Sequence, residues 1–146
     1  MRLWHKDLID VLPRKQLLAQ WRECCAIASN IATKGTPNHM LVNKMLEYPQ
    51  IHFIEYCNRI LKEMKRRGYK VNRSSYERLV DNMKLGQENY RTEGIIITEN
   101  IFGDWHNKRY LSQCFHNLQE KYDCGGITDE EYYKLVDKYN ELILKE

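Results

Sequence analysis

Pro13-Arg-Lys-Gln-Leu-Leu-Ala-Gln-Trp-Arg-Glu-Cys-Cys-Ala-Ile-Ala-Ser-Asn-Ile-Ala-Thr-Lys-Gly35 is the stretch on which the reading of this chain turns. Proline is tolerated in the first turn of a helix, where its missing N–H has no partner to lose, and glycine closes the far end. The segment is therefore predicted to be helical over about 13–33. Leu17, Trp21, Cys24, Ala28 and Ile31 recur every three or four residues and form its buried stripe. Lys15, Arg22, Glu23 and Asn30 lie off that stripe, and Ala19 and Ala26 leave a second face shallow enough for close approach.

The same logic runs outward. Thr36-Pro37-Asn38 reads as a turn, with Asn38 able to cap a short helix to about Glu47. Pro49 opens a helix over about 50–67 with the stripe Phe53, Cys57, Ile60, Leu61 and Met64, stopped by Gly68. A helix over about 75–84 follows, capped by Ser74 or Ser75. The run Gly-Ile-Ile-Ile-Thr at 94–98 has no partner strand and reads as an apolar plug in a long loop. Helices over about 104–122 and 129–144 end the chain, the second opened by a Thr128/Glu131 capping box. Tyr132, Leu135, Val136, Tyr139, Leu142 and Ile143 would fold it back on its neighbour. The expectation is an all-α fold: one compact helical domain over 1–146 with a C-terminal helical hairpin over 104–146. Its core should contain Trp21, Phe53, Ile60, Leu61 and Leu118.

Composition narrows the classes. At 146 residues the chain fits one domain and can bury a sizeable core without metal or disulfide. Its five cysteines are odd in number and form no CxxC, which argues against a disulfide framework or a zinc site and for reduced thiols in a cytoplasmic protein. No run approaches the ~18 apolar residues of a membrane span, and the N-terminus lacks a signal-peptide core. The net charge of +3 is a weak pointer to an anionic partner; its distribution says more. Lys62, Lys65, Arg66, Arg67, Lys70 and Arg73 crowd the end of one helix with only Glu63 among them, beside Tyr69. That exceeds what the helix dipole asks for and suits phosphates.

The run Gln16, Leu17, Leu18, Ala19, Gln20, Trp21, Arg22, Glu23 resembles the carboxylate-bearing stretch of the phage endonuclease V family of pyrimidine-dimer DNA glycosylases, at a matching distance from the chain start. His52-Phe-Ile-Glu-Tyr56 and the exit Lys65-Arg-Arg-Gly-Tyr69 resemble that family's second long helix. The opening Met-Arg-Leu-Trp-His-Lys-Asp-Leu is typical of a bacterial branch identified as belonging to it. The resemblance covers about residues 1–72. It implies a repair enzyme that removes a damaged pyrimidine and cuts the strand by β-elimination, with no cofactor and no metal. The nucleophile would be the N-terminal α-amine. Free α-amines titrate near ~7.7–8.0 against ~10.4 for lysine, so about several hundredfold more of the amine is neutral at pH 7. The resemblance casts Met1 and Glu23 as the catalytic pair. It points to Arg2, Lys15, Gln16 and Arg22, with Lys65, Arg66, Arg67, Lys70 and Arg73, as contacts to damaged double-stranded DNA. His52 is a possible further site residue, though a core role is the commoner fate of such a histidine. His5 and His39 are read as surface or capping residues.

This sequence departs from the pattern in three places. Arg2 is too bulky to permit removal of Met1, Ala26 replaces a basic residue, and the C-terminal tail finds no match. The rival reading is a non-catalytic helical module that binds DNA or protein on the same scaffold.

Overall fold

The computed structural model describes residues 2–91 and 100–145. Five α-helices carry the fold: α1 (Arg14–Lys34), α2 (Gln50–Arg66), α3 (Arg73–Leu85), α4 (Lys108–Asp123) and α5 (Asp129–Ile143). No strand occurs among the described residues, and the fold is all-α. No helix there is long and apolar enough to cross a membrane. The 94–98 run lies outside the described residues.

The ends of the helices follow from their flanking residues. Pro13 precedes α1, and Gly35 ends it in the left-handed region at φ 77°, its N–H bonding the Ile31 carbonyl at 2.9 Å. α3 begins earlier than the serines suggested, because Asn72 is the cap; its side chain accepts the Ser75 N–H at 3.2 Å. α4 begins later than expected. Asn107 caps it, accepting the Tyr110 N–H at 2.9 Å, and the preceding residues 100–106 are turns, with Phe102 at φ 52°. The capping box of α5 is present in both directions, Glu131 N–H to Thr128 Oγ1 at 3.2 Å and Thr128 N–H to Glu131 Oε1 at 3.1 Å.

Two short segments differ from expectation. The stretch ending at Glu47 is a 3-10 helix, Val42–Glu47, with Asn38 at φ 58° in the turn before it rather than at its cap. A second 3-10 helix, Lys6–Val11, was not anticipated. His5 caps it, its Nδ1 accepting the Asp7 N–H at 3.1 Å, so the histidine does cap but is buried rather than at the surface.

α1 packs on both α2 and α3, and α5 packs on α4 and on the Lys6–Val11 turn. Trp21, Phe53, Ile60 and Leu118 belong to one hydrophobic core, with Leu61 half-buried at its edge. Of the residues expected to fold α5 back, Leu135 alone is fully buried. Stacked rings do much of the joining: Phe115 on Tyr139 at 4.1 Å between centroids and Tyr122 on Tyr132 at 3.9 Å. Each such pair adds about 0.5–1.5 kcal/mol beyond burial. Lys138 of α5 also reaches Asp10 at 3.1 Å, tying the hairpin to the start of the chain.

Candidate active site at the chain start

On α1, Gln16, Gln20 and Glu23 fall at i, i+4 and i+7, a stripe beside the apolar one. That stripe faces residues 2–4. Gln20 is fully buried, a rare place for an amide, and its partners account for it. Its Oε1 accepts the Trp4 N–H at 2.8 Å and its Nε2 donates to the Arg2 carbonyl at 2.7 Å. Tyr56 on α2 donates its hydroxyl to the Trp4 carbonyl at 2.6 Å, 3.0 Å from Gln20 Oε1. Tyr110 on α4 donates to the Leu3 carbonyl at 2.6 Å. The Arg2 N–H donates to Glu23 Oε2 at 3.3 Å, and Gln20 Nε2 lies 3.4 Å from the same oxygen. Burial pushes both phenols up, so Tyr56 and Tyr110 remain protonated donors at neutral pH.

The next two residues are anchored as firmly. His5 Nδ1 accepts from Asp7, so its Nε2 carries the proton that meets the His106 carbonyl at 2.9 Å. His106 Nδ1 accepts the Lys6 N–H at 2.9 Å, and Lys6 Nζ reaches Asn100 Oδ1 at 2.5 Å and the Ile101 carbonyl at 2.9 Å. Burial pulls His5, Lys6 and His106 below their ordinary values; for His106 the nearby His5 and Lys6 charges act in the same direction.

A cleft of ≈410 Å³ opens on Glu23. Lys15, Gln16 and Arg22 line it from α1, Trp4 from the chain start and Lys121 from α4. Lys15 and Arg22 are exposed, Glu23 is half-buried, and Gln16 Oε1 is buried with no hydrogen-bond partner among the described residues. An orphan acceptor is costly unless something supplies a donor. Met1 lies outside the described residues. The Arg2 guanidinium sits over the Trp4 ring, 5.3 Å from its centroid, with Nη1 4.0 Å from Cys114 Sγ. Lys121 was missed at the sequence level, since nothing local in α4 says that it meets α1.

The other candidates sit elsewhere. Lys62 and Arg66 line a larger cleft of ≈680 Å³ with Lys6, Lys108 and Lys138. It shares no lining residue with the Glu23 cleft. Glu63 is almost fully buried and binds both Arg66 and Arg67, the latter at 2.6 Å. Burial would raise its carboxyl, but the two guanidiniums outweigh that and hold it below the usual range. Arg67 also donates to the carbonyls of Leu12 at 2.8 Å and Asp10 at 3.2 Å, so it ties α2 to the Lys6–Val11 turn. Lys65, Lys70 and Arg73 are exposed, Arg73 pairing with Glu77 at 3.0 Å. His52 is buried between Tyr48 and Phe102, its Nδ1 accepting the Phe102 N–H at 3.0 Å, and burial lowers it too. Among the described residues, no group of three or more His, Cys, Asp or Glu side chains could hold a metal ion.

The picture is of an all-helical protein whose chain start is led to a carboxylate, at a cleft flanked by cations. Residues 1–77 match the family model for pyrimidine dimer DNA glycosylases, and the chain belongs to that family. No curated protein and no solved structure gave a match. The family acts on DNA containing pyrimidine dimers.

Proposed function

We propose that this protein excises a damaged pyrimidine from duplex DNA and then cleaves the strand, with the Met1 α-amine as nucleophile and Glu23 as its catalytic partner. The observation that carries the reading is the Arg2 N–H donated to Glu23 Oε2 at 3.3 Å. The α-amine is three covalent bonds upstream of that nitrogen, at most about 4 Å of contour.

The neutral amine attacks C1′ of a nucleotide swung out of the helix. The C1′–N bond breaks, and the base leaves with the electron pair and takes up a proton. The amine gives up its protons as the sugar ring opens, leaving a C1′ imine. Glu23 stabilises the developing oxocarbenium, then removes a proton from C2′. The 3′ phosphate departs in the elimination, and water releases the enzyme by hydrolysing the imine. Extruding the nucleotide costs a few kcal/mol of unstacking, offset by phosphate contacts from Lys15, Arg22, Lys121 and the exposed cations of 65–73.

Glu23→Gln keeps the shape and an acceptor oxygen but loses the negative charge. Strand cleavage should fall at least hundredfold while duplex affinity stays within a few-fold, because the charge acts mainly in the transition state. The stability cost should be about 1 kcal/mol or less, since an acceptor for the Arg2 N–H remains. A short N-terminal tag or acetylation should abolish the borohydride-trapped adduct. A tagged protein that still forms the adduct shows a lysine nucleophile. An untagged protein that neither cleaves nor forms an adduct on abasic or dimer-containing duplexes leaves the non-catalytic binding module in possession.

A further inference from the structure

We propose that Gln20, Tyr56 and Tyr110 are positioning residues for the nucleophile, holding main chain 2–4 in the one register that delivers the chain start to Glu23. The proposal rests on the reading of the α-amine as nucleophile. It adds that the site is completed by α4, which lies beyond the stretch matched by the family model.

A chain terminus is normally the least ordered part of a domain unless it is tied down. Here five main-chain groups of residues 2–4 are tied, and by side chains rather than by a neighbouring strand. The Arg2 and Trp4 amides meet Glu23 and Gln20, and the carbonyls of Arg2, Leu3 and Trp4 meet Gln20, Tyr110 and Tyr56. The partners come from α1, α2 and α4, so three elements converge on one short peptide. Pairing these main-chain groups is itself stabilising, since leaving one buried and unpaired is costly. What the polar set adds is register. Extended chain advances about 3.3 Å per residue, so a slip of one residue displaces the amine by that much. Misplacement of a reacting group by about 1 Å already costs on the order of a hundredfold in rate.

Tyr110 gives the cleanest test, since phenylalanine keeps the ring and removes only the hydroxyl. Single-turnover imine formation is measured by borohydride trapping with excess full-length protein on a preformed abasic-site duplex, alongside amide hydrogen exchange. Tyr110→Phe should slow trapping at least tenfold with the duplex Kd within twofold of the parent. Exchange at residues 2–4 should rise at least tenfold with that of α5 unchanged. Tyr56→Phe should do the same from the α2 side. Tyr139→Phe is the structural control: it loses a hydroxyl bond to Ser112 of 2.8 Å on α4, away from residues 2–4, and should trap within twofold of the parent. Parent-like trapping by Tyr110→Phe and Tyr56→Phe, or equal slowing by Tyr139→Phe, overturns the positioning role alone. A parent protein that forms no adduct at all overturns the nucleophile reading beneath it.

Discussion

At the chain start, buried polar side chains turn inward on the backbone, and the carboxylate beside residues 2–4, Glu23, is left half-exposed on a cleft. At the end of α2 the arrangement is reversed. The carboxylate, Glu63, is the buried group, and it draws Arg67 in toward the core while also pairing with the more exposed Arg66, leaving Lys65, Lys70 and Arg73 outside. The first region is built mainly from uncharged hydrogen bonds and neutral histidines, the second from ion pairs. A tally of charges along the sequence therefore overstates the second as a DNA surface and cannot see the first.

Acid should separate the two regions most strongly. His5, His52 and His106 titrate below the ordinary imidazole value, burial being the leading cause for each. Over the interval between about 6.5 and those lowered values, the unfolded chain binds more protons than the native one, so stability rises with pH there. Going from pH 7 to 5.5 should therefore lower the Tm, with His106, the most strongly lowered of the three, contributing most. Glu63 has the opposite sign, with its carboxyl held down. Its contribution is intact above the usual carboxylate value and disappears only as pH falls below it. A two-stage loss, histidines first and Glu63 later, is expected. His106→Gln should flatten the upper stage, and a Tm that is level from pH 7 to 5.5 would contradict the assignment.

Gln20→Leu comes next in size. It strands the Trp4 N–H and the Arg2 carbonyl, for about 2–3 kcal/mol in urea unfolding. Arg67→Ala should cost about 1–2 kcal/mol, because Arg66 remains on Glu63 while the Leu12 and Asp10 carbonyls lose their donor. If the two costs were reversed, the chain start would be the looser region and the contrast would fail.

Much of the fold was legible because it rests on local rules. The α1 stripe, the glycine stop and the Thr128/Glu131 box are each decided within a few residues, and all are present. So was the family, carried by the 16–23 run and its distance from the chain start. What stayed hidden depends on contacts between residues far apart in sequence. Gln20 looked like any polar position on a helix; nothing near it says that residues 2–4 cross over it. Tyr110 and Lys121 belong to a half without a familiar pattern, and only tertiary packing brings them to α1. Arg67 read as a free cation because a buried Glu63 runs against the usual exposure of glutamate. The Lys6–Val11 turn was missed because its cap is a histidine, not one of the favoured Ser, Thr, Asp or Asn residues.

The smallest stability effect should accompany a clear effect on binding, and there the comparison can be sharpened furthest. Lys70 and Arg73 are exposed, and Arg73 pairs with a solvent-facing Glu77. Exposed pairs of this kind contribute about 0.5 kcal/mol or less, so Lys70→Ala with Arg73→Ala should leave the urea midpoint nearly unmoved. If both lie on phosphates, each releases about 0.9 counterion on binding, and the slope of log K against log salt should become shallower by about 2. Arg67→Ala should do the reverse: a lower midpoint with the salt slope of the surviving folded protein almost unchanged, because its guanidinium is already held by Glu63, Leu12 and Asp10. Measuring both quantities on both variants separates cations that hold the protein together from cations that hold DNA. A salt slope that responds to Arg67 and ignores Lys70 and Arg73 would overturn this division and make Arg67 a phosphate contact in spite of its bonds to Glu63, Leu12 and Asp10.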